Sequence, residues 1–478
     1  MTETLDKAQL VVLGGGPGGY AAAFLGADLG MQVTLVDLEE NPGGVCLYRG
    51  CIPSKALLHL ARLLTETREA EAWGLTFTEP TVDLDKMRGW KDTVVQQLTG
   101  GTGQLAKQRR VTMIQGRGTF LDGTHLHIEE PDGSESILPF EHAIIATGSR
   151  PATVPSFPMD SPKVMDSTAA LELADIPDKL LVVGGGYIGL ELGSVYAALG
   201  SKVTVVEMAQ SLLAGADKDL VRPLAKRLDS LLDSILLKTT VTEMVETDDG
   251  IRVTLQGDKV ETPEQTFDKV LVAIGRKPNT EGLGLSNTKV EINERGFIKT
   301  DGQRRTAEPT IFAIGDVAGD PMLAHKASHE GRLAVEVIAG SKAHFEPAAI
   351  PAVVFTDPEI AWCGLTEAEA KAEKRPVKAV RFPWAASGRA KTMGREEGMT
   401  KLIIDEETER ILGVGIVGAG AAELIAEGML AIEMGAVATD LKLTIHPHPT
   451  LTETIMEASD VLFGQSTHVY RPLRKKRN

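Results

Sequence analysis

"QLVVLGGGPGGYAAAFLGADLGMQVTLVD", from Gln9 to Asp37, reads as a β-branched strand, a glycine turn, an alanine-rich helix and a second strand ending in an acid. The same order returns in "KLLVVGGGYIGLELGSVYAALGSKVTVVE", from Lys179 to Glu207. Each copy fits G-x-G-x-x-G, with Gly14, Gly16 and Gly19 in the first and Gly184, Gly186 and Gly189 in the second. The closing acids, Asp37 and Glu207, each stand 23 residues beyond the first glycine of their set. The first glycine permits a tight turn, the second lets a pyrophosphate approach backbone at a helix N-terminus, and the third lets helix and strand touch. The acid then receives ribose hydroxyls. One such motif is a weak signal, but two complete copies predict two dinucleotide-binding units. Two ordinary glycine turns would leave the paired acids unexplained. A carboxylate at Glu207 bonds a free 2′-hydroxyl and repels a 2′-phosphate, and no arginine follows in "MAQSLLAG", so NAD is expected there rather than NADP.

A second pair of segments also matches. "HAIIATGSRP" (His142 to Pro151) resembles "KVLVAIGRKPN" (Lys269 to Asn279), each an apolar strand, a glycine, a basic residue and a proline. They read as the closing strands of the two units and put boundaries near Pro151 and Pro278. "TIFAIGDVAG" (Thr310 to Gly319) is a third strand–glycine–acid element, and mixed α+β composition begins near Ala348. The expected architecture is α/β: two Rossmann-like dinucleotide-binding domains at 1–150 and 151–279, a central segment at 280–347, and a C-terminal α+β domain at 348–478.

The chain of 478 residues has a formal net charge of -16. That balance speaks against nucleic acid or an anionic membrane surface as partner. No apolar run has transmembrane length. "MTETLDKAQLVVLGGG" lacks a signal peptide's basic n-region, and its acids do not suit a transit peptide. Three cysteines are too few for a secreted disulfide framework, so a cytoplasmic protein is expected.

Two of those cysteines, Cys46 and Cys51, lie in "GGVCLYRGCIPSK" (Gly43 to Lys55). Buried apolar thiols, a metal site and a redox-active pair are the competing readings. A metal site needs about four ligands, and only His59 is near in sequence. In a regular helix, five residues separate Cα atoms by roughly 8 to 9 Å, too far for a disulfide. A disulfide therefore requires a distorted helix, which Gly50 and Pro53 would suit. Lys55 and a helix N-terminus would favour a thiolate. Cys363 has no cysteine near it in sequence and reads as packing.

These segments together resemble the disulfide-linked flavoprotein reductases. "GGVCLYRGCIPSK" follows that family's GGxCxNxGCIPSK signature, and "ATGS", "GGGYIGLELG", "AIGRKPN" and "FAIGD" come in its order over essentially the whole chain. "CIPSKALL", "MLAHKASHEG", "IPAVVFTDPEIAWCGLTE" and "HPHPTLTE" are nearest the branch that oxidises dihydrolipoyl dithiols. Two departures stand out. Tyr48 and Arg49 replace an asparagine and a small residue, and "HPHPT" replaces "HAHPT".

The resemblance implies that the first motif holds the ADP half of FAD, with Asp37 on its ribose. It has the central segment, 280–347, complete the FAD site and puts Asp316 at the ribityl-phosphate side, Lys55 against the flavin, and Gly118 and Ala324 at weaker flavin contacts. The second motif would hold NAD, with Glu207 on the adenine ribose and Ala273 and Gly275 beside it. Glu191 would lie near the nicotinamide and pair with a lysine, Lys55 being the candidate. His448 matches the family's base and Glu453 its orienting carboxylate. Thr450 to Glu453 also reads as a capping box, and His446 is the alternative base. No metal is expected. The resemblance further implies that His448 deprotonates a dihydrolipoyl thiol, that the thiolate attacks Cys46, and that Cys51 passes the electrons to FAD and so to NAD. In this family the base comes from the partner subunit, which implies a homodimer paired through the C-terminal domain. The lipoyl arm would belong to an acyltransferase or a glycine-cleavage carrier protein. Another reductase of the family, or a flavin sensor without turnover, is the rival reading. Mercuric reductases carry a cysteine pair near their C-terminus, and no cysteine follows Cys363 here. The basic end, "RPLRKKRN", reads as a solvated tail.

Overall fold

The computed structural model describes residues 3–470. The basic end at 471–478 lies outside the described residues. Ala8–Leu13 is buried at five of its six positions, as a run of valine and leucine inside a parallel sheet should be. It is the third of five parallel strands, in the order Thr112–Gln115, Val33–Asp37, Ala8–Leu13, Glu135–Ile145, Ile311–Ala313. Val12 faces Leu35 on one side and Ile144 on the other. The last of the five comes from "TIFAIGD", so a distant segment completes the first sheet. Helices Pro17–Asp28 and Ala324–Ile338 cover one face, burying Ala22, Ala23, Ala334 and Val335 against Leu10, Leu35 and Phe312.

The second motif builds the same plan. Ser234–Leu237, Lys202–Glu207, Lys179–Val183, Lys269–Val272 and Val164–Met165 form a parallel sheet in that order. The two look-alike closing segments meet as an antiparallel ribbon, with Arg276 opposite Pro151 and Pro278 opposite Ser149. The chain passes between the two parallel sheets on this ribbon.

From Ala352 onward a five-stranded antiparallel sheet carries helices Ala421–Glu433 and Glu453–Phe463. Its core holds Trp384, Phe382, Ile416 and Ile455. Cys363 is buried there, and burial pushes its thiol up to about 12, as suits a packing residue. Lys401, 1% exposed, anchors this unit to the second nucleotide unit, with its Nζ 2.7 Å from Asp217, 3.0 Å from Asp219 and 2.7 Å from Glu367. Those three carboxylates have the spacing of a metal site, and the ammonium fills it. No helix among the described residues is long and apolar enough to cross a membrane.

Candidate active site

The cysteine segment folds as two helices with a break between them. Gly44–Arg49 ends at Gly50, whose φ of -147° and ψ of -113° leave the helical region. Cys51–Glu69 then starts at the second cysteine. A side chain at Gly50 would meet the Val45 carbonyl at 2.8 Å. The break brings Cys46 and Cys51, both free thiols, within hydrogen-bonding reach of each other. This is the distortion that the five-residue spacing demands. The hydrogen bond from Cys46 pulls the Cys51 thiol down to about 7, burial opposes it, and the Lys55 charge assists. The same bond, with burial, pushes Cys46 up. Cys51 also opens a long helix, where the backbone dipole favours a thiolate.

Both sulfurs line a cavity of about 550 Å³. Gly14, Gly16, Asp37, Lys55, Glu191, Asp316 and Ala324 line it too. Lys55 Nζ is 2.8 Å from Glu191 Oε2, the pairing expected from sequence, and Glu191 Oε1 accepts the Phe355 N–H at 2.9 Å. Ser149 Oγ donates to Asp316 at 2.5 Å and accepts from Arg276 Nε at 2.7 Å. Sequence reading missed Ser149 and Arg276, whose signal was only the polar residue after each closing glycine. The glycine turn fits a pyrophosphate. A Cβ at Gly14, where φ is +106°, would stand 2.4 Å from the Ala146 carbonyl, and one at Gly19 would stand 1.8 Å from the Gly14 carbonyl. Gly16 is left bare, nearest only Gly44 Cα at 3.9 Å. Asp37 accepts from the backbone N–H groups of Gly15 and Glu39. Burial raises its carboxyl, and the Gly15 bond and the Arg49 charge oppose that. The residues present fit the ADP half of FAD.

Gly118 does not line the cavity. It sits in Arg117–Phe120 beneath Leu13, whose Cδ1 would be 2.6 Å from a Cβ there. Close packing explains that glycine. Gly19 likewise lies behind the turn rather than on the cavity.

The second turn repeats the geometry. A Cβ at Gly184 would stand 2.4 Å from the Ala273 carbonyl, and one at Gly189 would stand 2.2 Å from the Gly184 carbonyl. Glu207 accepts from Gly185 N–H at 2.7 Å and from Ala209 N–H at 2.6 Å. Gly186 and Gly275 have nothing within 4 Å of a Cβ, so this mouth is open.

His448 lies on the C-terminal unit, its side chain 73% exposed. Its Nδ1 is 2.9 Å from Glu453 Oε1, which leaves Nε2 toward solvent. Glu453 Oε2 accepts the Thr450 N–H at 2.8 Å. Burial works against the Glu453 charge, but that N–H and His448 hold the carboxyl below its usual range. Half of the expected capping box forms. The Thr450 hydroxyl turns to Pro447 O instead of the helix, so Glu453 serves turn and imidazole together. His446 has both nitrogens engaged, by Glu427 at 2.7 Å and Thr444 O at 2.9 Å. Neither His448 nor Glu453 lines the cysteine cavity of its own chain.

The comparisons with known proteins fall on the same features. Residues 8–331 match the pyridine nucleotide-disulphide oxidoreductase model, and residues 350–459 match that family's dimerisation domain. The chain is 50% identical to a dihydrolipoyl dehydrogenase of Vibrio parahaemolyticus, over 96% of this chain and 97% of that one. It is 43% identical to one from Geobacillus stearothermophilus, over 97% and 98%. Among solved structures, LpdA of Mycobacterium tuberculosis superposes with a TM-score of 0.89 at 28% identity, over 95% and 99% of the two chains. The flavoprotein disulfide reductase RclA of Escherichia coli gives 0.86 at 27%, over 96% and 100%. The chain belongs to the pyridine nucleotide-disulphide oxidoreductase family. It is an oxidoreductase that works with FAD and NAD(H), and it carries the family's dimerisation domain.

Proposed function

We propose that this chain is a dihydrolipoyl dehydrogenase that acts as a homodimer. Its substrate is the dihydrolipoyl arm of an acyltransferase or a glycine-cleavage carrier protein, and its oxidant is NAD. The observation that carries the reading is the division of labour. The thiol pair lies in the cavity with Lys55 and Glu191, while the exposed His448–Glu453 pair stands on the dimerisation domain. The base then serves the cavity of the second copy. Exposed Leu430, Met434 and Ile445 on the same unit suit a face that another chain covers.

His448 Nε2 takes the proton of one substrate thiol, and Glu453 on Nδ1 steadies the resulting imidazolium. In the oxidised enzyme, where Cys46 and Cys51 would be joined as a disulfide, the substrate thiolate attacks Cys46 Sγ. The Cys46–Cys51 bond breaks, and Cys51 leaves as a thiolate paired by charge with Lys55. The second substrate thiol, deprotonated in turn, attacks the substrate sulfur of the mixed disulfide. Lipoyl disulfide departs, and Cys46 takes up the proton. Bound FAD supplies the two-electron acceptor for the cysteine pair and the hydride for NAD. Asp37 and Asp316 would hold it, and Glu207 would hold NAD.

Anaerobic dihydrolipoamide with NAD should yield NADH, and NADP should yield nothing. His448→Gln should lower turnover by about 10²- to 10⁴-fold with flavin content unchanged. Glutathione disulfide reduced by NADPH, with dihydrolipoamide inert, would sink the substrate assignment and leave the family intact.

A further inference from the structure

Tyr48 and Arg49 depart from the family signature, and both act on one loop. Leu38 to Gly43 joins the strand of Asp37 to the first cysteine helix and borders the cavity at its Asp37 end. The Tyr48 hydroxyl donates to Asn41 O at 3.0 Å. Arg49 pairs with Glu39, and both residues line the cavity. Thr102 holds Pro42 O from behind. The Asp37 carboxylate makes this end acidic, an unfavourable surface for a phosphate-bearing ligand. Arg49 brings the compensating charge, close enough to Asp37 to act on its carboxyl. The other cations on the wall are engaged elsewhere: Lys55 with Glu191, Arg150 with Glu281 and Arg276 with Ser149.

We propose that Tyr48 and Arg49 form a clasp, with Glu39 as its catch, that closes the 38–43 loop over the ADP half of the FAD and slows its release. The proposal rests on FAD occupying the first turn. They are positioning residues that take no part in the thiol chemistry, although they share the Gly44–Arg49 helix with Cys46.

The test is flavin release from the purified holoenzyme, followed by the recovery of flavin fluorescence after dilution at several salt concentrations. Arg49→Ala should release FAD about tenfold faster, as expected for loss of a charge-assisted contact. Glu39→Gln should behave alike, and the double variant should be no faster than the faster single one. Arg49→Lys should recover part of the loss. Tyr48→Phe, which keeps the ring, should accelerate release about threefold through one lost hydrogen bond. Salt should accelerate wild-type release and leave Arg49→Ala unmoved, a response that a packing role would not give. Arg49 is 40% exposed, so its replacement spares the core. Arg49→Ala within twofold of wild type, or single effects that multiply, would overturn the clasp. A wild-type protein that carries no flavin would overturn the FAD reading instead.

Discussion

The two glycine turns are nearly superimposable as local chemistry and opposite as environments. Both close a glycine amide onto the acid that ends the next strand, through Gly15 to Asp37 and Gly185 to Glu207. The first is walled in. A Cβ at Gly18 would meet the Ala327 carbonyl at 2.8 Å, and one at Gly331 would meet the Gly18 carbonyl at 2.4 Å, so two helices cross there at glycine distance. The corresponding position after the second turn holds Ile188, next to a Tyr187 that is 40% exposed, and the Met208 that follows Glu207 is 78% exposed. One sequence motif thus makes a closed socket and an open dock. A resident cofactor suits the first and an exchanging one the second.

Exchanging the two residues breaks the comparison most severely. Gly18→Ile should force the Ala324–Ile338 helix away and cost about 3 kcal/mol or more, as overpacking against backbone does. The protein should then purify without flavin. Ile188→Gly should cost about 1–3 kcal/mol of packing and keep the flavin. Absorbance spectra and thermal unfolding of the two variants decide this, and equal flavin loss in both would erase the distinction.

The paired acids give a smaller and cleaner contrast. Each uses both carboxylate oxygens on its own turn. Glu207→Ala should raise KM for NAD by about 10- to 100-fold, the range for a lost hydrogen bond to a charged group, with flavin retained. Asp37→Ala should instead appear as flavin lost on dilution, with KM for NAD unchanged in the molecules still loaded. Steady-state kinetics beside flavin content separates the two, and a shared response would mean that the turns do not act independently.

What sequence made legible follows from the same physics. Gly14, Gly19, Gly184 and Gly189 were readable because backbone atoms stand where any Cβ would go, so residue identity is forced. Cys46 and Cys51 were readable because no other side chain does their chemistry, and the break at Gly50 is what their spacing requires. Gly118 stayed open because a glycine packed under Leu13 and a glycine beside a ligand look the same in a sequence. The place of Ile311–Ala313 in the first sheet, and the links from Ser149 to Asp316 and Arg276, join segments more than 120 residues apart. No local pattern encodes such pairings. Glu453 was open to two readings because one carboxylate has two oxygens, and the structure uses one for each.

The smallest expected effect lies where the two turns meet. Cys51 opens a helix beside the first, Glu191 rides the helix that leaves the second, and Lys55 stands between them, 2.8 Å from Glu191. In the reduced pair Cys46 keeps its proton and donates it in a hydrogen bond, which is the main reason that Cys51 titrates near 7. Burial and the Glu191 charge oppose the thiolate, and the Lys55 charge supports it. The thiolate therefore exists above about pH 7 and is lost as pH falls through that value. Thiolate absorbance of the anaerobically reduced protein should rise with that midpoint. Cys46→Ala removes the donor and should move the midpoint up toward the ordinary thiol value of about 8.5. Glu191→Gln should move it down, because the opposing charge goes. A midpoint that stays fixed in Cys46→Ala would mean that something other than the Cys46 hydrogen bond stabilises the thiolate.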